Sequence, residues 1–220
     1  MMLIIAFACS RSPIEDGWRS GGLVQVKDLF TSSFVVFEQE EIVLIDAGYD
    51  SSAKPLIETI ESEGRSISEV SHIFITHGHT DHLNGLEAFP GAEVCALSQE
   101  EELIEAGGWS LDIPLSDGER VSIGDSELEV FSVPGHTSGN AVYRINNILI
   151  MGDTAQSYKD GTLSPVAEKY AEDPDQAEQS LFEFGQVMSQ RSEDIEFLLF
   201  SHSGPLNGVD ALLSYKPSRQ

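Results

Sequence analysis

The 220-residue chain reads as a mixed α/β layered domain. Two features of pattern predict it. β-rich runs come in groups near the start and again after residue 119, and segments with apolar spacing near 3.6 interrupt them. A third feature ties the pattern to chemistry. His77, Asp153 and His202 each end an apolar run, and His136 closely follows another. Side chains at strand ends project from a sheet edge, where sites in α/β proteins commonly form.

The runs GLVQVKDLF (22–30), SFVVFEQ (33–39) and EIVLIDAG (41–48) are rich in β-branched and aromatic residues and are separated by turn-like breaks, so strands are expected. SAKPLIETIESEG (52–64) has helical spacing and a stop at Gly64. HIFITH (72–77) reads as a short buried strand, and DHLNGLEAF (81–89) as a helix closed by Pro90-Gly91. AEVCAL (92–97) is a strand. SQEEELIEAG (98–107) is a helix with Ser98 as its cap and an acidic first turn. ERVSIG (119–124), SELEVFSV (126–133), NAVYRI (140–145) and NILIMGD (147–153) are consecutive strands. DPDQAEQSLFEFGQVMSQ (173–190) is a helix, IEFLLFSH (195–202) a last strand, and NGVDALLSY (207–215) a last short helix.

Composition narrows the function classes. Forty per cent of residues are hydrophobic, enough for a sizeable core in one domain. Thirty-seven acids against twelve bases give a net charge of −25, which repels phosphate backbones, and no Lys/Arg cluster stands out in the sequence. No nucleic-acid partner is expected. The two cysteines, Cys9 and Cys95, make no disulfide framework and no CxxC pair. Residues 1–20 are expected to be an N-terminal tail, and 21–220 the domain. The apolar run before Cys9 loosely resembles a truncated lipoprotein signal, although no basic residue precedes it. The default expectation is a cytoplasmic protein, with a cell-envelope lipoprotein anchored through Cys9 as the alternative. No apolar run is long enough to span a bilayer, and the sequence carries no signal of oligomeric state.

FITHGHTDHLNG (74–85) places three of the chain's six histidines and one aspartate within six positions. Alternate residues of an extended turn point the same way, so His77 and His79 can face one metal. Asp81 and His82 open the next helix and can face a second point nearby. Imidazole suits borderline metals, and a carboxylate can complete or bridge them. A single histidine at a strand end is more often a surface or hydrogen-bonding residue, and His72 is read that way. The cluster is different in kind, because isolated His and Asp residues beside glycines follow it at later strand ends.

These motifs resemble the metallo-β-lactamase-fold hydrolase superfamily. THGHTDH (76–82) matches its HxHxDH signature, PGHTSG (134–139) a glycine-flanked histidine, GDT (152–154) a bridging aspartate, SHSGP (201–205) the final histidine, and VLIDAG (43–48) an early Asp-bearing strand. The resemblance implies a four-layered αβ/βα sandwich and two divalent metal ions, zinc first, with iron or manganese as alternatives. It implies His77, His79 and His136 on one metal, Asp81, His82 and His202 on the other, and Asp153 bridging. Asp46 would support the metal-binding loop from a buried position. The implied reaction is attack by a metal-bridged hydroxide on a small ester, thioester or lactone, with Asp81 orienting it or relaying a proton.

Departures refine the resemblance. Glyoxalase-II-like thioesterases share this ligand set, but they add a C-terminal helical region, and only a short stretch follows His202 here. Lactonases of acyl-homoserine lactones carry a tyrosine three residues after the bridging aspartate, where this chain has Gln156, with Tyr158 nearby. Alternatives are a mononuclear iron persulfide dioxygenase, a single-domain nuclease-like phosphodiesterase, and a metal-storage module. Substrate contacts are expected from the segments 106–118 and 155–170, with Trp109, Tyr158 and Tyr170 as candidates for lining the pocket.

Overall fold

A computed structural model describes residues 10–191 and 194–218. Among these residues, seven strands form one sheet in chain order: β1 (Arg19–Ser20), β2 (Leu23–Asp28), β3 (Thr31–Phe37), β4 (Ile42–Ile45), β5 (Val70–Phe74), β6 (Glu93–Leu97) and β7 (Ile113–Leu115). β1 to β4 are antiparallel neighbours, and β4 to β7 are parallel. The second sheet opens with β8 (Arg120–Ile123), β9 (Ser126–Ser132), β10 (Ala141–Ile145) and β11 (Ile148–Ile150). A two-stranded ribbon of β12 (Gln156–Ser157) and β13 (Leu163–Ser164) stands apart from it. β14 (Phe197–Leu199) and β15 (Leu206–Asn207) complete the second sheet, whose order is β15-β14-β11-β10-β9-β8.

The helices cover the outer faces. α1 (Lys54–Ser62), α2 (Thr80–Leu83) and α3 (Glu101–Ala106) lie over the first sheet, and α4 (Pro174–Met188) and α5 (Asp210–Ser214) over the second. Three buried clusters mark the layering. Phe34, Ile45, Phe74, Val130, Tyr143 and Leu199 pack between the sheets. Leu56, Ile60, Ile73, Leu86 and Ile104 pack between the first sheet and its helices, while Leu149, Leu181, Phe184, Met188 and Leu198 do the same for the second. Helix, sheet, sheet and helix make the four-layered sandwich that the motifs implied. The strands buried on both faces are the ones with continuous apolar runs, as their position requires.

Several expectations need correction. Ser98 does not cap a helix. The chain first turns through a 3-10 segment, Ser98–Glu100, so the cap position of α3 falls on Glu100 and neither residue makes a side-chain cap bond. The helix expected over 81–89 is one α-helical turn followed by a 3-10 segment, Asn84–Ala88. Here Gly85 lets the main chain approach Ala47, whose oxygen would lie 2.2 Å from a Cβ. β1, β7, β12, β13 and β15 were not foreseen, because strands of two or three residues carry no readable period.

The N-terminal stretch is only partly a tail. Cys9 and the apolar run before it lie outside the described residues, but residues 10–20 pack onto the domain. Ser12 N donates to Ser157 O, Lys159 N to Ser10 O and Gly204 N to Ser12 O, at 3.0–3.1 Å. Arg11 bridges Tyr158 in antiparallel fashion, and Arg19–Ser20 pairs with β2. No helix of the described residues is long and apolar enough to cross a membrane.

The two sheets are tied by polar bonds where they meet the site. Ala141 N donates to Thr76 O at 2.8 Å, and the Tyr143 hydroxyl donates to Ile75 O at 2.7 Å. Tyr143 is fully buried, so Tyr143→Phe removes a donor that water cannot replace. The variant should lose about 1–3 kcal/mol of stability, read as a lower denaturation midpoint at unchanged slope. An unchanged midpoint would show that the bond carries no weight.

Candidate metal centre

Parallel register gathers the chemistry at one edge. β4, β5 and β6 point the same way, and their carboxy ends lead into Asp46, His77 and Glu100. In the other sheet β9, β11 and β14 share one direction, and the segments after them carry His136, Asp153 and His202. The two sets of strand ends face each other across the sandwich edge.

There the predicted residues converge. His136 Nε2 lies 3.0 Å from both His77 Nε2 and His79 Nδ1. His202 Nε2 lies 3.3 Å from Asp81 Oδ2, and His82 Nε2 lies 3.6 Å from it. Asp153 stands between these groups, with Oδ2 at 3.1 Å from His202 Nε2 and 3.6 Å from His136 Nε2, and Oδ1 at 3.8 Å from His82 Nε2. Among the described residues, three overlapping sets bring their ligand atoms within 4.8 Å of one another: His77, His79 and His136; His77, His82 and Asp153; and Asp81, His82 and His202. His72 belongs to none of them. It sits on β5 beside Ser71, Glu41 and Glu93.

Fixed acceptors select the histidine tautomers. Thr76 Oγ1 donates to Asp46 Oδ2, so toward His77 Nδ1, 3.2 Å away, it can only accept. His77 then carries its proton on Nδ1 and presents Nε2 as a lone pair. His82 Nδ1 donates to Asp46 Oδ2 at 2.7 Å, and His202 Nδ1 donates to the Phe30 carbonyl at 2.8 Å. Each leaves Nε2 turned toward the cluster. Partners of this kind orient metal-binding imidazoles generally.

Two buried carboxylates brace the loops that carry these side chains. Asp46, at φ 61°, accepts from Thr76 N through Oδ1 and from Thr76 Oγ1 and His82 Nδ1 through Oδ2. Glu100 accepts from Gly78 N at 2.7 Å and from Thr137 Oγ1 at 3.0 Å, joining the loop of His77 and His79 to the loop of His136. At Gly139 a Cβ would lie 2.5 Å from Glu100 Oε2, so the second loop can reach the carboxylate only through glycine. In the sequence Glu100 reads only as part of the acidic first turn of the helix expected over 98–107, with no role at the site. The signal that could have found it is its place three residues past the end of β6, beside the end of β5.

The electrostatics divide the histidines. Burial, reinforced by the neighbouring His82 and His136, holds His77 well below the ordinary imidazole range. Burial likewise takes His136 down to about 4, against the pull of Asp153, and lowers His79. These three are neutral at pH 7, as ligands must be. Burial also opposes charge on His82 and His202, but acids outweigh it: Asp46, Asp153 and Asp81 push His82 up to about 9, and hydrogen bonds to Asp153 and Asp81 push His202 up to about 11. Asp153, despite its burial, is held far below the carboxylate range by His202, His82 and His136.

These residues fit metal ions. His82 Nε2 and Asp153 Oδ1 are buried without a hydrogen-bond partner among the described residues, a costly state unless something else satisfies them. Three imidazole nitrogens meeting at 3.0 Å cannot all be satisfied by each other's protons. Two ligands on one tetrahedral zinc lie roughly 3.3 Å apart, since each Zn–N bond is about 2.0–2.1 Å.

A cavity of about 490 Å³ opens onto the cluster, lined by His79, Asp81, His136, Asp153 and His202, with Arg11, Phe30, Gln156, Val166 and Tyr170 around them. Tyr170 thus lines the cavity. Tyr158 is not among the lining residues; its hydroxyl accepts from Gln156 Nε2 at 2.8 Å and lies 3.0 Å from Ser164 Oγ. Trp109 is a correction. It packs half-buried against the cluster between the first sheet and its helices, away from the cavity. β7 draws the segment 106–118 into the sheet, so much of it is not a free loop over the site.

The superfamily model described as "Metallo-beta-lactamase superfamily" matches residues 26–202. A hydroxyacylglutathione hydrolase of Pseudomonas fluorescens is 28% identical over 140 residues, covering 60% of this chain and 51% of that protein. Metallo-beta-lactamase domain-containing protein 1 of Xenopus laevis is 26% identical over 166 residues, 70% of this chain and 66% of that one. This chain spans about half the length of the hydroxyacylglutathione hydrolases it matches. A metallo-beta-lactamase from Pontibacter korlensis is similar in fold with a TM-score of 0.70 at 22% identity, over 91% of this chain and 99% of that one. An archaeal superfamily protein from Sulfolobus tokodaii gives 0.66 at 17% identity, over 89% and 84%.

Two outcomes are expected. Glu100→Gln puts an amide where two donors need acceptors, so metal affinity at the His77, His79 and His136 set should fall about 10- to 100-fold in chelator competition. Equal affinity would remove Glu100 from any positioning role. In chelated protein, the raised imidazoles of His82 and His202 contribute stability that is fully present below 6.5 and lost as pH rises through about 9 and about 11. Melting temperature without metal should therefore be lower at pH 9.5 than at pH 6.5, and His202→Gln should flatten that slope. A slope unaffected by the substitution would refute the assignment.

Proposed function

This chain belongs to the metallo-beta-lactamase superfamily, and from that premise we propose that it is a metal-dependent hydrolase of a small ester, thioester or lactone. The observation that carries the reading is the convergence of His77, His79, Asp81, His82, His136, Asp153 and His202 on overlapping ligand sets, with His79, Asp81, His136, Asp153 and His202 lining one open cavity. In this reading His77, His79 and His136 hold one ion, Asp81, His82 and His202 the other, and Asp153 lies between them. Zinc is the first expectation for an imidazole-rich set with carboxylates. An open cavity over the ligands also suits catalysis better than storage, where a site is closed.

Bound divalent ions would supply a water acidified toward hydroxide and a Lewis acid for the substrate carbonyl. The chain's own residues do the rest. Asp81 faces the cavity and uses Oδ2 toward His202 and His82, leaving Oδ1 outside those contacts to accept a proton from an attacking water. Burial works against charge on Asp81, yet His202 and His82 keep its pKa below the usual value, so it is ionised and ready as an acceptor at neutral pH. Phe30, Val166 and Tyr170 offer apolar walls for an acyl or leaving group. The named hydroxyacylglutathione hydrolases act on a thioester of glutathione. This chain matches about half their length, so the thioester chemistry is carried into the proposal and the glutathione group is not.

Elemental analysis of protein purified without added metal should find about two transition-metal ions per chain, and a panel of thioesters, lactones and phosphodiesters should show turnover of the first two. Asp153→Ala should lower metal content and abolish that turnover. His72→Ala should retain both, since its partners are Ser71, Glu41 and Glu93. Equal losses in the two variants, or less than half an equivalent of metal after reconstitution, would overturn the reading.

A further inference from the structure

The cavity mouth carries a cation that the ligand sets do not use. Arg11 lines it, contributed by a segment remote in sequence from the metal motifs. Its position is built. The main chain of residues 10–12 is bonded to Ser157, Lys159 and Gly204, and Arg11 pairs with Tyr158 on the ribbon whose Gln156 also lines the cavity. Gly204 admits this segment, since a Cβ there would lie 2.4 Å from Pro13 O. Among the described residues no carboxylate forms an ion pair with Arg11. The acids nearest the floor, Asp81 and Asp153, are already engaged by His202. Lys169 adds a second cation, with Nζ 4.4 Å from the centre of the Tyr170 ring, and Tyr170 feels the charges of both Lys169 and Arg11. Arg11 thus lines the cavity, and Lys169 stands over Tyr170, itself a lining residue, in a chain of net charge −25 with only twelve basic residues.

We propose that Arg11, assisted by Lys169, binds an anionic group of the substrate, so that the preferred substrate is a small acyl compound bearing a carboxylate beside its scissile bond. The inference rests on the hydrolase reading and adds the substrate's charge to it. An exposed guanidinium without an ion-pair partner among the described residues, beside apolar walls, is suited to bidentate recognition of a carboxylate. The surrounding negative surface repels anions elsewhere, so the mouth is a local attractor. Carboxylate and phosphate would both satisfy the guanidinium fork; the modest cavity and its apolar walls favour the smaller, singly charged group.

The test uses isosteric pairs that differ only in charge. S-acetyl-3-mercaptopropionate and S-acetyl-3-mercaptopropionamide are each hydrolysed to acetate and a free thiol, which is measured. N-acetyl-β-alanine and its carboxamide are the uncleaved binding probes, followed by calorimetry. Wild-type protein should favour the carboxylate thioester by about tenfold or more in kcat/KM, mainly through KM, and should bind N-acetyl-β-alanine about tenfold tighter than the amide. Arg11→Ala should bring both ratios close to one, Arg11→Lys should restore part of them, and Arg11→Glu should invert them. Lys54→Ala, a surface control, should leave the ratios alone. Equal binding of acid and amide by the wild type, or ratios that survive in Arg11→Ala, would overturn the proposal. Cleavage of both thioesters without a charge preference would refute the anion site alone. Arg11-dependent binding of N-acetyl-β-alanine without cleavage of either thioester would refute the hydrolase reading and leave the anion site standing.

Discussion

The Asp46 carboxylate is the contact on which the site depends. It is buried at the end of β4, in a backbone conformation of positive φ that non-glycine residues adopt at a cost, and its two oxygens accept from Thr76 N, Thr76 Oγ1 and His82 Nδ1. Those bonds set where the loop after β5 begins, which nitrogen of His82 carries the proton and, through Thr76 Oγ1, which nitrogen of His77 does. Two histidines thereby present Nε2 to the same space. Without the carboxylate, three buried donors lose their acceptor together, so the loop and the ligand orientation are lost as a unit rather than bond by bond.

Glu100 repeats the device one strand further on. β4, β5 and β6 are parallel neighbours, so the residues just past their ends stand side by side: one brace on each flank and the histidine loop between them. The opposite sheet supplies the remaining side chains from three strands of common direction, and the Thr76–Ala141 and Ile75–Tyr143 bonds hold the two edges in register. The side chains of the site thus stand at the ends of strands from both sheets of the sandwich.

Charge organises the space above the ligands. The net charge is strongly negative, yet the cavity is lined by Arg11 beside Phe30, Val166 and Tyr170, with Lys169 over the Tyr170 ring. Arg11 reaches the cavity because the N-terminal segment is clamped against Ser157, Lys159 and the loop after β14. The proposed hydrolase reading and the proposed charge preference join here, in a candidate metal cluster below, apolar side chains at the wall and Arg11 at the rim.

Much of this was legible in the chain. HxHxDH at 77–82, the glycine-flanked His136 and the strand-terminal Asp153 and His202 are local signals, readable because a metal demands particular donor atoms and because apolar runs mark where strands end. The alternation of strand runs and helical spacing was enough for the layered α/β class and for most elements. What the sequence by itself could not determine is whatever depends on neighbours distant in the chain. Glu100 looks like one of several surface acids until β6 sets it beside β5. Trp109 looks like a pocket residue until β7 draws its segment into the sheet. Arg11 looks like part of a tail until three main-chain bonds anchor its segment. Only the tertiary structure decided these, because burial, pairing and proximity arise from packing, and packing leaves no periodic trace in a segment of one to three residues.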